Sequence, residues 1–497
     1  MNRTYSNVVL SVLLQVVTII CGFVTPRLIL STFGSEVNGL VNSITQFLNY
    51  VMLFEGGLNA VVLAGLYKPI HDGNRAKIDA IISASTRFYN RLAMLFAGYT
   101  LIISLLYPII VKTGFSISYI ASLTWILSIY MMAQYCFALT ARTYLKAEQK
   151  VGFVSVVQMI VIILNTLLTV VTIKLWPNIH IVKFVSSLVF VLQPIIFNRY
   201  IDKHYHINRK AEPDSKALEQ RWSGFGINCA AFIHDNTDIV VLSIFSTLSN
   251  ISIYSVYFLV TTGLKRLIQS ISAGIVPKLG NVFASGDKLR IDDTFSLYEF
   301  IITFATFFLF IVGGLTITPF VLLYTTGIDD ADYNQAVLGW FMIASEGIFC
   351  LREPYVNMAY SANRFKNIQK YAYIEAVLNV GVSLMLVKPY GFVGVVCGTI
   401  VGMSFRTLMQ IVYLKKHVLH RSYKPVVKNL LLFGGGALFT IAVSRQFLPT
   451  CQVGIGNWLI FAMKNAIIAL LVYSTIAFVF YRKQITTITS IIFNRKK

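Results

Sequence analysis

Lys265 and Arg266 stand side by side near the middle of Ile251–Val276, a stretch otherwise apolar enough to cross a bilayer. A charge at bilayer depth costs about 2.5–3.5 kcal/mol on insertion scales, so such residues face a water-filled cavity or a partner and by default mark a functional site. Two adjacent cations suit an anionic ligand. At roughly 100° per residue, Tyr254, Thr261, Lys265, Gln269 and Ser272 fall within about 60° of one another. Lys265 thus sits centrally on a polar stripe, and Arg266 lies at its edge or against a neighbouring helix. The competing explanation, that both cations snorkel to an interface, requires each to reach past about a dozen residues of apolar helix.

Other polar residues fall within apolar stretches. Asn228, Asp235 and Asp238 share one face of the seventh stretch, with His234 at its edge. These carboxylates are candidates to neutralise Lys265 and Arg266, or one of them or His234 to carry a coupling proton, because burial moves such groups toward neutrality. A purely structural ion-pair network is the alternative for each. In the first stretch Ser11, Gln15, Thr18, Gly22 and Thr25 share a face that ends at Pro26-Arg27. Proline removes the bond to the Gly22 carbonyl, which predicts a bend or opening there. The second stretch offers Asn38, Asn42, Gln46 and Asn49 on one face, suited to hydroxyl-rich ligands or interhelical hydrogen bonds, with Glu55 off that stripe and placed to pair with a neighbour. Glu346, Glu375 with Asn379, and Arg406 are further candidates, whereas Arg91 and Lys464 lie near span ends.

The elements that must carry these residues are membrane helices. Of 497 residues, 56% are hydrophobic and only 13% charged, with a mean hydropathy of +0.68, where a soluble chain carries about a quarter charged residues. Apolar runs of about twenty residues recur throughout, the length that spans hydrocarbon. The predicted spans are 8–32, 39–66, 88–111, 119–140, 153–175, 181–200, 223–245, 252–277, 297–319, 335–352, 371–387, 392–414, 429–448 and 458–481. The fold class expected is all-α and polytopic, with about fourteen transmembrane helices. The first span is too long for a signal-peptide core and reads as an uncleaved helix.

The formal net charge of +21 invites a nucleic-acid reading, but its distribution argues against one. About 31 of the 42 Lys and Arg fall in alternate connections or the two ends, and the connections Phe33–Asn38, Ser246–Asn250, Phe320–Asn334 and Pro449–Asn457 carry none. This is the positive-inside asymmetry, which places both termini in the cytoplasm. Ile201–Trp222, the most polar segment, reads as a cytoplasmic linker between an N-lobe (1–200) and a C-lobe (223–415), followed by two added helices and a basic tail. At an offset of 212, Thr25, Leu30, Ser31, Phe33 and Asn38 coincide with Thr237, Leu242, Ser243, Phe245 and Asn250, a weak internal repeat of the kind transporters place around a midplane site.

The six cysteines form no C-x-x-C or metal spacing. No G-x-S-x-G, Walker loop, H-E-x-x-H or metal-spaced Asp pair occurs, so neither catalysis, a cofactor nor a metal is expected. External connections of no more than about fifteen residues weigh in the same direction.

The hairpin Phe23-Val24-Thr25-Pro26-Arg27 … Phe33-Gly34 … Asn38-Gly39-Leu40 … Leu53-Phe54-Glu55-Gly56-Gly57-Leu58 resembles bacterial Wzx-type polysaccharide flippases. Arg142–Lys150, Asn236-Thr237-Asp238, Pro277-Lys278-Leu279-Gly280 and Tyr390-Gly391-Phe392-Val393-Gly394 agree in order and placement. That family lies in the multidrug/oligosaccharidyl-lipid/polysaccharide exporter (MOP) superfamily. The resemblance implies two six-helix lobes around a central cavity, with two extra helices, in the bacterial cell membrane. It also implies a substrate, a polyprenyl-diphosphate-linked oligosaccharide flipped to the outer leaflet by alternating access for capsule or O-antigen assembly. Its implied partners are membrane lipids, the polysaccharide polymerase machinery and a coupling ion, H+ or Na+. Arg27 and Lys265-Arg266 match the basic positions of the first and eighth cavity helices of related lipid-linked precursor flippases; the second helix departs, offering Glu55. A multidrug exporter of the same superfamily and a membrane glycosyltransferase or polymerase acting on lipid-linked sugars are the alternatives.

Overall fold

A computed structural model describes residues 3–55, 57–111, 113–209, 211–214, 225–362, 364–449 and 451–493. Among them the chain is all-α. In order the helices are α1 (Arg3–Asn49), α2 (Leu58–His71), α3 (Arg75–Ile110), α4 (Ile117–Ala133), α5 (Leu139–Ala147), α6 (Val151–Leu175), α7 (Ile179–His204) and α8 (Phe225–Phe245). There follow α9 (Leu248–Ala284), α10 (Lys288–Tyr324), α11 (Ala336–Ser361), α12 (Phe365–Leu414), α13 (Lys424–Phe447), α14 (Ile455–Phe480) and α15 (Arg482–Phe493). Helices dominate because nothing in hydrocarbon replaces a lost backbone hydrogen bond, and a helix satisfies its own. Large apolar side chains point outward along their length, Met94, Ile109, Met385 and Leu431 each at least 69% exposed. A water-facing surface would not tolerate so much exposed apolar area.

Among the described residues, ten helical stretches are long and apolar enough to cross a membrane. Of these, α12 holds two predicted spans and α1 holds the first and the start of the second, which runs on into α2; the residues that separate them lie outside the helical region, Gly34 (φ 82°) and Gly391 (φ 57°). With α8 and α11, whose charged residues depress their hydropathy, the predicted fourteen are all accounted for.

The described chain forms two compact units, Met1–Ser252 and Ile253–Lys497. In the first, α1 packs on α6 and α8, and α4 and α7 pack together with α3 and α6 on their flanks. The start of the polar linker folds back here: Asp214 donates its backbone N–H to Ala80 and Ser83 its hydroxyl to the Ala211 carbonyl. Residues 215–222 of that linker lie outside the described residues. The packing boundary falls one helix later than the sequence repeat suggests, because α8 is tied to α1 by Ser43–Ser243 (2.5 Å) and the start of α9 by Asn38–Ser252 (2.7 Å). The break at Gly34 and the non-helical Ser246-Thr247 between α8 and α9 stand at the same offset of 212.

In the second unit α11 packs against α10 and α12, while α10 also carries α13 and α14. Phe300, Phe433, Tyr473 and Tyr481 form an aromatic core there. Ser444–Asn465 (2.5 Å) and Asn429–Tyr481 (2.6 Å) bind α13 to the two ends of α14. Within α12 the two halves fold on each other about Gly391, whose left-handed backbone an L side chain adopts only at a cost. Gly402 lets them touch: a Cβ there would stand 2.8 Å from the Glu375 carbonyl oxygen. Small residues at such crossings are what allows helices in lipid to approach closely.

Candidate functional site

In the second unit, a helix-spanning line of buried polar groups runs from α9 through α11 to α12. Lys265 is 7% exposed and Glu346 4%. Their Nζ and Oε2 atoms are 3.2 Å apart. The pair is poorly aligned: Glu346 Oε2 is buried yet accepts no hydrogen bond. One turn along α11, Phe349 presents its ring to Lys265 (4.6 Å) and to Arg352 (4.8 Å), both cation–π contacts. Arg352 reaches Glu375 Oε1 on α12 at 3.0 Å, and Arg406 reaches Oε2 of the same carboxylate at 2.5 Å. Three buried cations therefore share two carboxylates along this line. At its other end Ser272 of α9 hydrogen-bonds Tyr298, and Asn357 donates to both and to Glu353 (3.0 Å).

The polar stripe of α9 is thus turned inward, against α11. Thr261 and Tyr254 are fully or nearly fully buried, and Gln269 is half-buried. Arg266 is exposed and makes no ion pair among the described residues. Glu346 on α11, a separate candidate from the sequence, is an acidic partner of Lys265. Asp238 is buried in the first unit, on α8 near the Tyr50 phenol; the side chains of His234 and Asp235 lie outside the described residues. Asn379 of α12 bonds Thr399 instead of joining the ionic line.

The first unit holds a cavity of about 340 Å³ between α1, α6 and α7, lined by Thr18, Thr25, Asn38, Asn42, Asn165 and Lys183 among others. Its α1 wall is the polar face read from the sequence. That helix does not open at Pro26: the chain stays helical there and breaks at Gly34. One missing hydrogen bond in a long helix is absorbed, and Gly22, whose carbonyl loses its partner, itself lines the cavity. Arg27 is half-buried, one residue past Pro26. Gln46 and Asn49 bond each other at 3.4 Å and lie outside that cavity's lining. Glu55 accepts from Tyr89 at 3.2 Å.

Sequence reasoning missed two residues. Lys183 was hidden by its place near the start of α7, where a lysine reads as an interfacial anchor. Arg352 was counted with the following basic connection, although α11 continues to Ser361 and buries it. Its signal was the spacing Glu346, Phe349, Arg352-Glu353, Asn357, one face of a helix.

No family model matches this sequence, and comparison with curated proteins finds no match. Solved structures do match. The chain is similar to the lipid II flippase MurJ in an inward closed conformation, with a TM-score of 0.73 at 16% identity, covering 96% of this chain and 100% of that one. It is also similar to a multidrug resistance MATE family transporter of the MOP superfamily. The inward-facing form gives a TM-score of 0.58 at 14% identity (82% and 99% covered), the outward-facing form 0.57 at 12% (83% and 95%). The chain is a multi-pass membrane protein, and its fold is the one these flippase and exporter structures share.

Proposed function

We propose that this chain is a flippase that carries polyprenyl-diphosphate-linked oligosaccharide from the cytoplasmic to the outer leaflet of a bacterial cell membrane by alternating access, feeding capsule or O-antigen assembly. The observation that supports it most directly is the Lys265–Glu346 pair, a membrane-buried cation with a poorly aligned carboxylate beside it. Such a poorly aligned pair is readily exchanged. A diphosphate offers more acceptor oxygens and more charge than Glu346, so it competes for the ammonium. Exposed Arg266, next along α9, adds electrostatic attraction for an anion. Glu346, released, is the candidate for charge pairing with a coupling ion. Asn42, Gln46, Asn49 and Gln269 supply neutral groups of the kind that meet sugar hydroxyls, and Arg27 a further cation. Both termini are proposed to be cytoplasmic, from the loop charge asymmetry. The flippase neighbour acts on lipid II, a lipid-linked substrate, which is consistent with this reading.

The multidrug exporter reading draws on the transporter neighbours. It is less favoured because a site for cationic drugs is expected to be dominated by carboxylates, whereas the acids of the buried line here are matched by Lys265, Arg352 and Arg406. The test is a leaflet-flipping assay in proteoliposomes with a fluorescent lipid-diphosphate oligosaccharide. Lys265→Ala is expected to abolish flipping, and Glu346→Gln to tighten binding while slowing turnover. Unchanged flipping by Lys265→Ala would remove this site from the mechanism.

A further inference from the structure

The cavity of the first unit contains an unusual combination. Lys183 lines it without an ion pair or hydrogen bond among the described residues, and no acidic side chain is among the lining residues. Facing the same space is Asn165, 7% exposed, whose Oδ1 is buried without any hydrogen-bond partner. Neighbouring polar groups are already engaged: Asn42 donates to the Asn38 carbonyl and Asn38 to Ser252. What remains unmet is one cationic donor and one neutral acceptor.

We propose that this cavity is a ligand site distinct from the Lys265 line, in which Lys183 holds the acidic group of a small hydroxylated anion and Asn165 accepts one of its hydroxyls. The complementary chemistry is that of an acidic sugar, carrying either a carboxylate or a phosphate. A volume of about 340 Å³ lies at the small end of ligand pockets, fitting one sugar residue better than an oligosaccharide. The charge gives selection by sign, because an anion is compensated by Lys183 while a cation meets its repulsion with no acidic lining residue to offset it. The proposal stands apart from the diphosphate site: it rests on residues of the first unit alone.

Cys21, a free thiol lining the same cavity, supplies a local readout. The full chain in nanodiscs is treated with a sulfonate-bearing or a trimethylammonium-bearing methanethiosulfonate. Labelling of Cys21 is read by peptide mass spectrometry and normalised to Cys451, which lies in the connection after α13. The anionic reagent is expected to be favoured at Cys21 by roughly tenfold, the order expected for one nearby charge at protein-like dielectric. Lys183→Met should abolish that preference and Lys183→Arg keep it, which separates lost charge from lost fold. Glucuronate or glucose 1-phosphate should then protect Cys21 where glucose does not, with protection weakened by Asn165→Leu. Whichever acidic sugar protects identifies the anion as carboxylate or phosphate. Equal labelling by the two reagents, protection by glucose as good as by the acidic sugars, or no protection by any sugar would each overturn the proposal. Because the readout is Cys21, a failure of Lys265→Ala to affect flipping leaves it standing.

Discussion

Replacing Glu375 by Gln tests whether the buried ionic line holds the second unit together. Glu375 is 1% exposed and is the carboxylate that both Arg352 and Arg406 reach, at 3.0 and 2.5 Å. Those guanidiniums are themselves only 4% and 6% exposed. The substitution keeps the shape and removes the charge, leaving two buried cations facing a neutral amide. Breaking a buried pair in this way costs about 3–5 kcal/mol, because the residual charge has no compensation. One guanidinium keeps a neutral acceptor, worth about 1 kcal/mol, so a loss of about 2–4 kcal/mol is expected. At roughly 2–4 °C per kcal/mol for a unit of this size, the unfolding midpoint should fall by about 4–16 °C. A thiol-reactive fluorophore reports the transition, since Cys350 on α11 is fully buried in the native state and reacts only when the helix packing opens. Adding Arg352→Met and Arg406→Met to Glu375→Met should recover most of the loss, as apolar replacements of buried ion networks do. A Glu375→Gln midpoint within 2 °C of the parent (well under the expected effect), or no recovery in the triple variant, would refute the reasoning.

Other outcomes follow from the same geometry. Gly402→Val should lower the same midpoint by at least as much as Glu375→Gln, because its Cβ meets the Glu375 backbone; Gly402→Ala should do so less, and thermal unfolding ranks the three. Arg266→Gln should leave the midpoint within about 0.5 kcal/mol of the parent, as exposed substitutions do, while reducing the salt sensitivity of substrate capture in the flipping assay. Asn465→Ala should cost about 1–3 kcal/mol by leaving the buried Ser444 hydroxyl without its partner, measured by the same fluorophore scan.

Apolar runs located most of the spans, since twenty apolar residues per crossing is a requirement that bilayer thickness imposes on any sequence, but α8 and α11 fall short on hydropathy alone. Where the path turns was harder. Pro26 is the stronger breaker by composition, yet the break is at Gly34, because the short apolar connection there leaves the turn to a single left-handed residue. The sequence picked out Lys265, Glu346, Glu375 and Arg406 individually from the cost of charge in hydrocarbon. It did not pair them, since Lys265 and Glu346 are 81 positions apart and only helix packing brings them within 3.2 Å. Lys183 and Asn165 went unnoticed for the same reason. Each is unremarkable on its own helix, and their significance comes from facing one cavity.

The tight turn at Gly391 also bears on how the chain enters its membrane. The two halves of α12 are joined by one non-helical residue, and they carry Glu375 and Arg406, an ion pair across the hairpin. Threaded singly, each half would bring an unpaired charge into hydrocarbon, at about 2.5–3.5 kcal/mol apiece. Entering as a closed hairpin, they cross already neutralised. Paired release of the two halves is therefore expected to cost less than sequential release. The fifty residues of α12 are one unit of insertion even though they make two passages.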